Sequence, residues 1–206
     1  MKQIISFIFS NLQFRIILLA LIIIIFSNCK HNSKDYSMYL TNYKTIGGDF
    51  TLTDQYNKTF NLKNHRGKVI LLFFGYTTCP DVCPTTLSKI SDVYKQLGAK
   101  SKDVQTVFVS VDPERDNPKK LNNYLKHFEI NAIGLTGKLS DIHKVSKLYK
   151  IFFQKNISKS AVGYLVDHTT YTYLIDQKGR VRHIFKHDTK INFMSGLINY
   201  LLTKKS

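Results

Sequence analysis

Two cysteines stand four residues apart in the stretch Thr77-Thr78-Cys79-Pro80-Asp81-Val82-Cys83-Pro84. Two thiols at that spacing have two chemistries open to them: they close to a disulfide, or as thiolates they share a soft metal. The run Val69-Ile70-Leu71-Leu72-Phe73-Phe74 before them reads as a buried strand. After them, Leu87, Ile90, Val93, Tyr94 and Leu97 recur at helical spacing, which predicts a helix over residues 84–98. The pair therefore sits in a strand-to-helix turn, with Pro84 suited to the first helical position because the N–H it lacks has no partner there. Free N–H groups and the dipole at such an end favour the thiolate.

The third cysteine, Cys29, stands far from the pair, so there is no disulfide framework. The chain carries 30 basic against 14 acidic residues, a formal charge of +16. Only five of the basic residues are arginine, and no arginine stripe interleaves with aromatics, which argues against nucleic acid as a partner. Lysine at this density reads as a solvated surface, with some attraction for an anionic membrane or an acidic partner.

Residues 1–28 read as a signal or membrane-anchor segment. Lys2 and Arg15 are its only charges, and residues 16–26 form an unbroken apolar run of eleven. Eleven suits a signal-peptide core and is short for a spanning helix, which needs ~20. Counted from Ile4, with polar interruptions, the stretch reaches 23 residues. Both readings keep the positive end in the cytoplasm and send the rest outward. Phe26-Ser27-Asn28-Cys29 resembles a bacterial lipoprotein cleavage site, although Asn28 departs from the small residue usual before that cysteine. Lipidation at Cys29 and an uncleaved helix thus stay open as alternatives. Residues 29–46 read as a polar tether and residues 47–206 as the folded domain.

Within that domain, Phe50, Leu52, Phe60 and Leu62 alternate around a polar turn and predict an N-terminal β-hairpin. Residues 104–111 read as a second buried strand, broken by Asp112-Pro113-Glu114-Arg115-Asp116-Asn117-Pro118. A helix follows over residues 118–128, with Asp116 or Asn117 to cap it, and another over residues 139–149. A hairpin over residues 170–185 turns at Asp176-Gln177-Lys178-Gly179, and residues 191–202 close as a helix. Alternating strands and helices give an α/β domain with a central mixed sheet flanked by helices. A cysteine pair at the first strand-to-helix turn looks like the thioredoxin fold.

Two features depart from a thioredoxin. The spacing is Cys-x-x-x-Cys, one residue longer than the redox motif, and no proline follows Pro118. Thioredoxin-like oxidoreductases hold a cis-proline facing the disulfide; here His168 occupies the corresponding place. Two thiolates and an imidazole without a carboxylate suit copper.

At this point the chain resembles the Sco (SenC) copper proteins that assist assembly of cytochrome c oxidase. The matching pieces are Gly47-Gly48 with Phe50 and Leu52, Thr78-Cys79-Pro80-Asp81-Val82-Cys83-Pro84, Val111-Asp112-Pro113-Glu114-Arg115-Asp116, and Tyr164 with Val166-Asp167-His168-Thr169. The resemblance implies a membrane-tethered domain, facing the periplasm or an equivalent compartment, that binds copper through Cys79, Cys83 and His168. It implies as partner subunit II of the oxidase, whose dinuclear copper centre would receive copper or be reduced at its thiols. It implies a partner-docking role for Asp112, Glu114, Arg115 and Asp116, whose plain reading is a loop and a helix cap. The rival is an exported thiol-disulfide oxidoreductase or thiol peroxidase using Cys79 and Cys83, which does not need His168.

Overall fold

The computed structural model of the chain describes residues 35–157 and 163–204. The expected signal or anchor segment and Cys29 lie outside them. Among the described residues no helix is long and apolar enough to cross a membrane.

The centre of the domain is the strand β3 (Val69–Gly75), every residue of which is buried. It pairs in parallel with β4 (Val104–Ser110), which pairs in parallel with β5 (Ala132–Thr136). On its other side β3 meets β8 (Thr172–Ile175) antiparallel, and β9 (Val181–Phe185) closes that edge. The expected N-terminal hairpin, β1 (Thr51–Asp54) and β2 (Thr59–Asn61), forms and joins the far edge by pairing β1 with β5. The sheet order is β2-β1-β5-β4-β3-β8-β9. Buried on both faces, the central β3 reads as a continuous apolar run, as such a strand does.

Successive side chains of β3 point to opposite faces, and they divide the helices between them. Gly75 and Phe73 face Cys83 of α1 (Val82–Leu97), and Phe108 on the same face meets Tyr124 of α2 (Pro118–Leu125). Phe74 turns the other way, onto Tyr149 of α3 (Leu139–Tyr149). The last helix, α4 (Ile191–Thr203), packs along α1. Asn117, rather than Asp116, caps α2, its side chain accepting from the Lys120 N–H at 2.9 Å. That helix ends at Leu125, short of the expected Phe128.

Residues 35–46, which the sequence reads as tether, pack on the domain. The Thr41 N–H donates to the Arg182 carbonyl at 2.8 Å, His183 Nδ1 to the Tyr39 carbonyl at 2.9 Å, and Tyr36 and Tyr39 set their rings against Phe193. The packed unit begins at Asp35.

A second sheet has only two strands, β6 (Phe153–Ile157) and β7 (Tyr164–His168), antiparallel, with His168 opposite Phe153. This arm was not legible as strand, because four of the five β6 residues are exposed.

Candidate metal centre

The cysteine loop hangs between β3 and α1, and the geometry of both ends is fixed. Gly75 ends β3 where a Cβ would stand 2.7 Å from Cys83 Sγ and 2.9 Å from Phe108. Only glycine lets the buried sulfur come that close to the strand. Helix α1 starts at Val82, so Pro84 is the third helical residue rather than the first. The proline still falls in the turn whose N–H groups have no helical partner.

Beneath the loop lies Asp116, fully buried. Its carboxylate accepts from the Thr77 N–H at 2.8 Å, the Thr77 hydroxyl at 2.5 Å and the Ser110 hydroxyl at 2.7 Å. Lys120 approaches it at 3.4 Å and donates to the Thr78 hydroxyl at 3.0 Å. Through these bonds the buried carboxylate pins the loop that carries Cys79.

Both cysteines are free thiols: Cys79 half-buried, Cys83 with no exposed surface. Their ionisation is split by position. A hydrogen bond from Cys83 holds the Cys79 thiol far below its ordinary range against the cost of burial, helped by His168 and the Asp81 and Cys83 amides at the helix start. The same hydrogen bond, together with burial and the negative Cys79 sulfur, pushes the Cys83 thiol up. The pair is one thiolate at the surface with one proton behind it.

His168 ends β7 with its Nε2 at 3.4 Å from Cys83 Sγ. Its Nδ1 lies 3.1 Å from the Thr169 carbonyl, which can only accept, so Nδ1 carries a proton and Nε2 is the ring atom that faces the sulfurs. Phe73 and Tyr76 hold the ring edge-on at 6.2 and 5.8 Å. Tyr76, a residue the sequence reading passed over, accepts the Val166 N–H on its hydroxyl at 3.2 Å and so ties β7 to the end of β3. Its signal was its place, an aromatic residue directly after the buried strand.

The ligand atoms of Cys79, Cys83 and His168 all lie within 4.8 Å of one another, and no other cluster of metal-binding side chains occurs among the described residues. Donors bound at about 2.0–2.3 Å to one ion stand roughly 3.5–4 Å apart, so the cluster is near the size such an ion requires. The set is soft and has no carboxylate: Asp167, the nearest in sequence, is exposed and accepts from Asn156. Copper fits it by donor type.

The acidic turn divides differently. Asp112 and Asp116 are buried and point inward, Arg115 is largely covered by the arm, and Glu114 keeps more than half of its side chain in solvent. Other histidines have structural partners: His65 stacks on Phe60, His143 on Phe153, and His187 bonds the Thr86 hydroxyl.

The SCO1/SenC family model matches residues 39–203. A SCO2-like protein of Rickettsia felis is 40% identical over 151 residues, spanning 72% of this chain and 73% of its own length. The copper-bound structure of Bradyrhizobium japonicum ScoI superimposes with a TM-score of 0.70 at 40% identity, over 76% of this chain and 99% of that one. BsSco, described as having a disulfide switch and as a member of the Sco family of cytochrome c oxidase assembly proteins, gives a TM-score of 0.64 at 29% identity, over 81% of this chain and 97% of that one. With its thioredoxin-like sheet and a match that runs through the cysteine loop and the histidine strand alike, the chain belongs to the SCO1/SenC family.

Proposed function

We propose that this chain carries copper for the assembly of cytochrome c oxidase, holding the ion through Cys79, Cys83 and His168 and serving the dinuclear copper centre of subunit II. The observation that carries this reading is the gathering of three soft donor atoms within 4.8 Å. The Cys79 thiolate stands at the surface to meet the ion, Cys83 gives up its proton as it binds, and the Nε2 lone pair of His168 completes a three-donor site. The copper held by the Bradyrhizobium protein and the oxidase-assembly role of BsSco support the same reading. The full chain, reduced, takes up about one copper, and its Cu(II) form absorbs through thiolate-to-metal charge transfer. After oxidation to the Cys79–Cys83 disulfide it takes up none, since no thiolate is left. Metal analysis of both forms decides; equal uptake ends the assignment.

We place the domain outside the cytoplasmic membrane, held there by residues 1–28 and facing the periplasm. A reporter active only outside the cytoplasm, fused after Phe60, is expected to be active. Cys29→Ser releases or blocks a lipoprotein and leaves an uncleaved helix in place, so fractionation of that variant separates the two anchors. An inactive reporter beside an active cytoplasmic one overturns the topology.

One arrangement favours thiol exchange as a second activity: Cys79 is half-buried, with its ionisation favoured at the helix start, and Cys83 lies buried behind it with its ionisation disfavoured. Cys79 would attack a client disulfide, forming a mixed disulfide and releasing one client thiolate. Cys83, losing its proton, would then attack Cys79, leaving the client reduced by two electrons and the pair oxidised.

A further inference from the structure

The arm that brings His168 to the cysteines cannot set its own direction. A two-stranded sheet alone is at best marginal in water, and most of β6 is exposed. Along β7 the residues Tyr164, Val166 and His168 share one face. Val166 is buried and bonded through its N–H to Tyr76, while His168 enters the sulfur site. Tyr164, about 13 Å up the strand at ~3.3 Å per residue, is held far more firmly than a rim tyrosine requires. Its hydroxyl donates to Asp112 Oδ1 at 2.7 Å, and its carbonyl accepts from Arg115 Nη1 at 3.0 Å. Its ring lies between two cations, the Arg115 guanidinium at 3.6 Å and Lys155 Nζ at 4.0 Å from the centroid. Arg115 Nε is in turn fixed by Asp112 at 2.5 Å, and Lys155 by Glu114 at 2.6 Å. Exposed pairs such as Lys155–Glu114 contribute little alone, but Asp112 shows only 3% of its side chain to solvent and Arg115 19%.

The loop that grips Tyr164 is also the loop whose last acid, Asp116, pins Thr77 beside Cys79. One short segment, residues 112–116, therefore holds the cysteine loop by one end and the histidine arm by the other. We propose that Tyr164, clamped by Asp112, Arg115 and Lys155, is a positioning residue that sets where His168 stands against the cysteine pair. The proposal rests on the copper reading above for its consequence and on the clamp geometry for its cause. These residues are then the internal gauge of the site.

The test uses the full chain with Tyr164→Ala, which removes the clamp, and Tyr164→Phe, which keeps the ring beside its cations and loses only the hydroxyl's bonds to Asp112 and, at 3.4 Å, Glu114. In reduced, metal-free protein, the Val166 amide is expected to exchange its hydrogen tenfold or more faster in Tyr164→Ala, with the amides of β3 and β4 unchanged. In copper-loaded protein the same variant keeps about one Cu(I) per chain through its two thiolates. It loses tenfold or more in Cu(II) affinity, and its nitrogen coupling in the electron paramagnetic resonance spectrum changes. Tyr164→Phe falls between it and the parent. Added to His168→Ala, Tyr164→Ala costs less than a further twofold, because a residue that acts through His168 has nothing left to act on. Parental exchange at Val166, or a full additional loss in the His168→Ala background, overturns the proposal. A parent chain that takes up no copper defeats the copper reading instead, and the exchange measurement then decides the clamp by itself.

Discussion

His168→Ala is expected to lower Cu(II) affinity by at least ~10-fold, the scale reached when even the residues supporting a metal ligand are lost. Nε2 is the one nitrogen donor in the cluster and already faces the sulfurs, while its Nδ1 is committed to the Thr169 carbonyl. Alanine deletes that lone pair and leaves both thiols in place. Cu(I) is expected to suffer less, because two thiolates still hold it in a nearly linear arrangement. Competition against chelators in each oxidation state measures the two losses separately. The substitution also parts the two proposed activities. Disulfide exchange runs through Cys79 and Cys83 alone, so reductase rates should change modestly while oxidase assembly fails. A variant with parental Cu(II) affinity and full assembly activity would return the chain to the oxidoreductase reading.

The largest loss of stability is expected away from the metal centre, at Asp176→Ala. Asp176 directly follows β8, its side chain fully buried. It accepts from the Lys178 N–H at 3.0 Å, the Arg180 N–H at 2.9 Å, Arg180 Nε at 2.8 Å and Arg182 Nη1 at 3.2 Å. Gly179, at φ +83°, closes the same turn with an N–H to the Asp176 carbonyl at 2.8 Å. Removing one partner of a buried ion pair costs ~3–5 kcal/mol. Arg180 and Arg182 keep 43% and 20% of their side chains in solvent, so we expect about 2–3 kcal/mol, or roughly 5–10 °C in melting temperature. Burial alone would raise the Asp176 pKa, but the bonds from Arg180 and Arg182 prevail and leave it lowered. A carboxyl depressed in the folded state stabilises fully above its unfolded value of ~3.9 and loses that contribution as pH falls through the folded value. Melts of the parent and of Asp176→Asn should therefore converge as the solution is acidified below pH ~4. A constant gap between them from neutral to strongly acid solution would show that Asp176 does not act through its charge.

The parts of this fold that were legible in the sequence are those where one physical effect acts alone. The strand β3 is apolar throughout because both faces are covered, β4 keeps an apolar run over residues 107–109, and α3 shows its apolar positions at helical spacing. The cysteine loop was legible from its residues, and His168 from its place before the terminal hairpin and the missing proline. Elsewhere, partners distant in sequence determine the outcome. The strand β5 contains Gly134, tolerated because the Leu125 side chain fills the space a Cβ would occupy and Gln55 accepts its N–H at 2.8 Å. In the arm β6–β7, four of the five β6 residues are exposed, so that strand has no buried face to show as alternation. Asp112 and Asp116 look like surface acids until Tyr164, Arg115, Thr77 and Ser110 are seen to satisfy them. Tyr36 and Tyr39 carry no period because what they pack on is the rim of α4 and β9.

The unequal depth of the two sulfurs gives traffic through this site a direction. Cys83 is sealed beneath Gly75 and Phe108, whereas Cys79 meets solvent. Of the two sulfurs only Cys79 can be reached from outside, with the partly exposed His168 beside it. Under the copper reading proposed above, an acceptor would meet the ion from the Cys79 side while Cys83 still held it from below. Hand-over would then be a relay between two proteins in contact, with no passage of the ion through open water.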